Sequence, residues 1–183
     1  MFSSSMATSS WLPWSEPTDP MEFRRQKDCL EISELDPFLA ELLRQIPESC
    51  NVEGVEAAQH RIFCSPAAPA EAEICAEWKV YVEPELRRLF HSATETVAGD
   101  LEQLTGCTKP FANCTLHIPI ENAEAWLNAL NQARLAIAAK FNFTDSELCD
   151  HYRSPIGSRR DLGLFQVNFY GFLQEFILQE MSL

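Results

Sequence analysis

The sequence predicts an all-α protein, an irregular bundle of four to six helices with at most short strands near the N terminus or in loops. Two observations point there. Apolar residues recur at three- and four-residue steps over long stretches, and caps or prolines stand where those stretches begin or break. With 183 residues, 46% of them hydrophobic, one core can be buried without a staple, and no repeat of fixed period is visible. Residues 1–28 are expected to be a tail and 29–183 a single helical domain.

The opening MFSSSMATSSWLPWSEPTDP is rich in Ser, Thr and Pro, lacks Lys and Arg, and has no apolar run of signal-peptide length. It reads as a disordered tail in which Trp11 and Trp14 mark either a docking segment or part of a floppy extension ahead of a start at Met21. Cys29 to Ser33 reads as a short strand or extended lead-in. Asp36 as N-cap and Pro37 at the first helical position then open a helix with Phe38, Leu39, Leu42, Leu43 and Ile46 on one face, which Pro47 is expected to stop. The stretch from Asn51 to Ala70 is less regular, RIFCSPAAPA reading as an extended piece and a turn.

From Glu71 the apolar series Ile74, Trp78, Tyr81, Val82, Leu86, Leu89, Phe90, Ala93, Val97, Leu101 and Leu104 predicts one long amphipathic helix, or two, kinked or restarted at Pro84 and ended near Gly106. After a loop from Thr105 to Thr115, LHIPI is expected to be extended. The clearest helix follows from Asn122 to Phe141, with Leu127, Leu130, Arg134 and Ile137 in step and Trp126 widening the stripe. Thr144 and Glu147 form a capping-box pattern for a short helix. A last helix carries Phe165, Phe169, Phe172, Leu173, Phe176 and Ile177, and Gly171 within it suits a close helix crossing.

The formal net charge of −13 repels phosphate on average, so direct nucleic-acid binding is not expected and a protein partner fits better. No apolar run is long enough for a membrane span. Seven cysteines at irregular intervals, with no export signal, suggest a reduced, cytoplasmic setting. None of the six glycines forms a phosphate-cradling loop, a dinucleotide fingerprint or a nucleophile elbow, and the histidines fall into no known triad order. No enzyme, no catalytic residue and no cofactor is expected.

Cys107 and Cys114 flank a short loop containing Lys109, whose charge favours thiolate; they are candidates for a reversible disulfide, with two inert thiols as the alternative and Cys64 with Cys75 as a weaker second pair. Cys107, Cys114 and His117, joined by Cys149 and His151, are a weak zinc candidate, because their spacings match no standard finger. Arg134 falls on the apolar seam of its helix and needs a buried acceptor; Glu175 on the last helix is the expected partner, with Asn131 in the same polar network.

The runs ENAEAWLNALNQARLAIAAKFN and FYGFLQEFIL resemble the actinobacterial oxidative-stress regulator family, long catalogued as a domain of unknown function, and RIFCSPAAPAEAEICAEWKVYVEPELRRLF is similar to its middle segment. The matching positions are Trp126, Leu127, Leu130, Asn131, Arg134 and Leu135, with Phe172, Leu173, Gln174 and Glu175. The resemblance implies a helical, non-enzymatic regulator of stress-responsive transcription that works through a C-x-x-x-C pair. No two cysteines here have that spacing, and Cys107 with Cys114 substitutes only by type. The leading expectation is therefore a stress- or redox-linked regulator acting through protein contacts. The alternatives are an adaptor module without redox behaviour, linked to protein turnover, and a metal-binding module.

Overall fold

The computed structural model describes residues 21–67, 71–106, 113–149 and 156–182. The tail with Trp11 and Trp14, Cys107 and His151 lie outside the described residues.

The molecule is mainly helical and carries a three-stranded antiparallel sheet, a fuller sheet than the expected short strands. Strand β1 (Glu22–Arg25) pairs with β2 (Cys29–Leu35), which pairs with β3 (Cys114–Pro119). β1 falls inside the stretch read as tail. It contains one apolar residue, Phe23, and its pairing comes from β2, which a local pattern cannot show. In β2 and β3 alternate residues point inward, so Leu30, Ile32, Leu116 and Ile118 are fully buried while Glu31 and His117 share the outer face. The register slips between Ile32 and Leu35, and Glu34 takes a positive φ there, which returns Leu35 to the core.

Helix α1 (Pro37–Arg44) starts as expected, Asp36 accepting from the Leu39 N–H at 2.8 Å. Pro47 does not end the helical run. It sits in the first turn of α2 (Ile46–Cys50), where its missing N–H costs nothing. α3 (Glu56–Phe63) makes RIF helical where an extended piece was expected; Ala58 and Phe63 give it a buried face against Ala136 in a small second core.

Next come α4 (Ala72–Glu77), a π-helical turn (Trp78–Val82) and α5 (Glu83–Glu102). Pro84 explains the wide turn. Its ring would collide with the carbonyl four residues back, and the i→i+5 bond from the Glu83 N–H to the Trp78 carbonyl absorbs the extra residue without breaking the rod. Gly106 follows at φ +87, and a Cβ there would stand 2.5 Å from the Asn113 carbonyl oxygen.

β3 leads through a 3₁₀ turn (Ile120–Asn122) into α6 (Ala123–Phe141), which ends at Asn142 in the left-handed conformation. α7 (Asp145–Cys149) carries the expected capping box: Glu147 accepts from the Thr144 N–H at 2.9 Å. α8 (Arg159–Met181) is capped by Ser158. α6 is the central rod, packed by α2, α3, α5 and α8. It meets α8 tightly at Gly163, where a Cβ would stand 2.6 Å from the Phe141 ring.

At the entry to α6 a buried carboxylate joins three elements. Asp100 of α5 accepts from Asn122 Nδ2 at 2.9 and 3.0 Å and from the indole N–H of fully buried Trp126 at 2.8 Å. No cation pairs with it among the described residues; the amide and indole donors and the positive end of α6 offset its lost hydration.

Removing this acceptor strands buried donors. Asp100→Ala is expected to lower unfolding free energy by about 3 kcal/mol in urea titration, and Asn122→Ala by about 1. Gly163→Ala is expected to cost about 2 kcal/mol through the collision with Phe141.

Candidate functional site

Arg134 leaves α6 on the side facing α8. Its Nη1 donates to Gln174 Oε1 at 2.5 Å, while Gln174 Nε2 donates to the Leu127 carbonyl at 3.1 Å. A carbonyl can only accept, so the amide is held with its oxygen toward the arginine. The guanidinium lies against the bare backbone of Gly171, where a Cβ would come within 3.2 Å of Cζ and Nη2. Its Nε is buried with no acceptor. Burial holds the guanidinium below its ordinary pKa, which reflects lost hydration; the charge itself persists at neutral pH.

The expected bridge to Glu175 is not formed. Gly171 and Gln174, one turn apart, take the side of α8 that meets Arg134, and Glu175 is rotated off that line and exposed. Asn131 is exposed as well, outside any buried network. Instead, Arg134, Gly171 and Gln174 form one side of an open cleft of about 960 Å³, with Asn131, Glu175, Leu178, Glu180 and Ser182 around it.

The other residues singled out at positions matching the family are structural in placement. Trp126, Leu130 and Leu173 are buried, Leu127 and Leu135 are half-buried, and Phe172 packs edge-on against Phe23 of β1 with ring centres 5.3 Å apart.

Cys114 is buried at the head of β3 and disulfide-bonded. Cys29, Cys50, Cys64 and Cys149 are free thiols. His117 stands three residues beyond Cys114, an odd step along a strand, and so faces the outside of the sheet, 3.1 Å from Glu31 Oε2. Cys114 and His117 therefore cannot ligate one ion from the same side, and no cluster able to hold a metal exists among the described residues. Cys50 is sealed beneath α6, its thiol 3.3 Å from the Ala129 carbonyl, and burial pushes it up to about 11.

The second notable surface is the rod formed by α4, the π turn and the start of α5. Its apolar series was expected to be a buried stripe. Beyond Ala93 that holds, with Val97 and Leu101 in the core, but no residue from Ala72 to Val82 is buried. Ile74, Val80 and Tyr81 are 51%, 63% and 72% exposed, and Val82 and Leu89 continue the patch. One side of the rod is tied back: Trp78 Nε1 donates to the Phe63 carbonyl at 3.4 Å and Arg87 lies 4.0 Å over the Phe63 ring. Exposed apolar residues grouped along one rod in this way are often functional on a monomer.

Sequence reading missed Asp100 as a polar core residue, although it lies in step with Val97 and Leu101, the same signal that marked Arg134. Nothing in the sequence distinguished Gln174 from Glu175 as the partner of Arg134. No helix among the described residues is long and apolar enough to cross a membrane. Residues 19–181 match the profile of a family described as a domain of unknown function, DUF2017. No curated protein and no solved structure matches the chain.

The thiols should separate by environment. Maleimide at neutral pH is expected to label exposed Cys64 and Cys149 quickly and Cys50 only on unfolding, read by peptide mass spectrometry. Because Cys50 has its pKa raised in the fold, its contribution is complete below about pH 9 and lost as pH climbs towards 11, where the unfolded thiol ionises first. Urea titrations across that window should show a loss of roughly 2–3 kcal/mol that Cys50→Ala removes.

Proposed function

We propose, on the premise that the chain belongs to the DUF2017 family, that it is a non-enzymatic regulatory protein that works by binding another protein through the α4–α5 rod. The observation that carries this reading is the solvated apolar patch of Ile74, Val80, Tyr81, Val82 and Leu89. These residues cost hydration in the isolated chain and contribute nothing to its core, whereas aromatic and aliphatic groups beside charged neighbours are what a protein interface needs at its centre. The net charge of −13 favours a neutral or basic protein partner over nucleic acid.

A link to redox state is the second part of the proposal. Its support is the disulfide at Cys114, together with the resemblance of the Trp126 to Arg134 stretch and the closing aromatic helix to an oxidative-stress regulator family. Cys114 begins the strand that leads into α6, so its oxidation state bears on how the head of β3 is held. An adaptor without redox behaviour would use the same patch and ignore that bond.

The test compares capture of a partner from native lysate by the wild-type chain and by Val80→Glu and Tyr81→Glu variants, quantified by mass spectrometry. Both side chains are solvated, so the variants should keep their melting temperature within about 2 °C while a specific partner falls at least tenfold. Unchanged capture would remove the patch from the interface. Repeating the capture after reduction with dithiothreitol separates the readings: the redox-linked regulator changes its yield and the plain adaptor does not.

A further inference from the structure

We propose that the Arg134 cleft binds a single carboxylate borne by a molecule or chain segment that also carries a positive group. The inference is independent of the α4–α5 patch and concerns the opposite partner of α6, the helix α8.

Five arginines, Arg24, Arg44, Arg87, Arg88 and Arg160, each meet a carboxylate, although all are well solvated and gain little by it. Arg25 reaches only the main-chain oxygen of Glu180, and Arg61 and Arg159 meet no carboxylate among the described residues, but all three are exposed and keep their water. Arg134, partly withdrawn from water, meets none; its one partner is the neutral oxygen of Gln174. A half-buried guanidinium whose Nε is sealed from water with no acceptor is a poor structural device, since an apolar side chain of similar volume would pack there at lower cost. It is a good receptor, because the price of dehydration has already been met before any ligand arrives.

The surroundings are built around it. Gly171 interrupts α8 at a cost of about 1 kcal/mol in helix propensity, and the space left by its absent side chain is where the guanidinium rests. Gln174 is pinned by the Leu127 carbonyl, which fixes the remaining nitrogens of Arg134 relative to the cleft. Leu178, 53% exposed, gives the cleft an apolar wall.

The rim sets the ligand class. Glu175 and Glu180 stand beside the same cleft, and neither side chain has a cation among the described residues. Two carboxylates repel a phosphate or any polyanion, and they attract an ammonium or guanidinium. Arg134, half-buried in a cleft rimmed by these two carboxylates, matches a carboxylate accompanied by a positive charge; Arg25, whose guanidinium reaches the main-chain oxygen of Glu180, leaves both rim side chains unpaired. A free amino acid has that chemistry, and so does an acidic residue beside a lysine or arginine on a protein.

The test follows the Arg134 side-chain Nε–H signal by NMR in ¹⁵N-labelled full-length protein. Four probes are titrated: free lysine, acetate, inorganic phosphate, and an end-blocked peptide containing Lys-Glu. The expected result is a saturable shift with lysine or with the peptide, at least about fivefold tighter than with acetate, and none with phosphate. Saturation by lysine identifies a small-molecule source; saturation by the peptide alone identifies a protein-borne one. Phosphate acting as well as lysine, or no probe shifting the signal, would overturn the assignment. Glu175→Gln with Glu180→Gln should erase the preference over acetate. Arg134→Met, which has no Nε–H to follow, should abolish binding of lysine or the peptide in isothermal titration calorimetry while leaving the melting temperature unchanged or higher; retained binding, or a drop of several degrees, would end the proposal.

Discussion

A carboxylate held by amide and indole donors, with no cation beside it among the described residues, governs how the centre of this molecule is put together. Asp100 on α5 receives Asn122 from the turn before α6 and Trp126 from its first full turn. Three bonds to one group fix both the position and the rotation of α6 at its N terminus. Every other contact of the central rod inherits that setting, because α2, α3, α5 and α8 all pack on α6 and a buried helix cannot be rotated for one neighbour without disturbing the rest.

Much of this was visible in the sequence where the cause is local. Asp36 followed by Pro37, the Thr144 and Glu147 pair, and the three- and four-residue steps of α6 and α8 act within a turn or two, and the structure has them where they were expected. What was not legible depends on partners distant in the chain. β1 is a strand because β2 lies beside it, and α3 is a helix because Ala136 supplies a surface for Phe63 and Ala58. At the candidate site the seam position of Arg134 was readable. Its acceptor was not, since Gln174 and Glu175 are adjacent and only the rotation of α8 decides which of them meets α6.

The α4–α5 rod shows the limit of periodicity as a signal of burial. Ile74, Tyr81 and Leu89 follow a helical rhythm as regular as that of Ala93, Val97 and Leu101, yet only the second group reaches the core. Periodicity records that a helix has an apolar face; it says nothing of whether the covering surface belongs to the same chain. The two regimes meet inside α5, between Leu89 and Ala93, about two turns beyond the π turn. By absorbing Pro84 without a break, the π turn lets one continuous rod serve the interior at one end and the solvent at the other.

Arg25 at the end of β1 donates through Nη1 to the main-chain oxygen of Glu180, near the end of α8. Phe23 of the same strand rests on Phe172 and Phe176 of that helix. The first strand of the domain therefore fastens the last turns of its final helix, and Glu180 is also part of the Arg134 cleft. β1 and the last turns of α8 form a clasp, so the wall of the cleft at Glu180 is held by a strand far away in sequence as well as by the helices that line it.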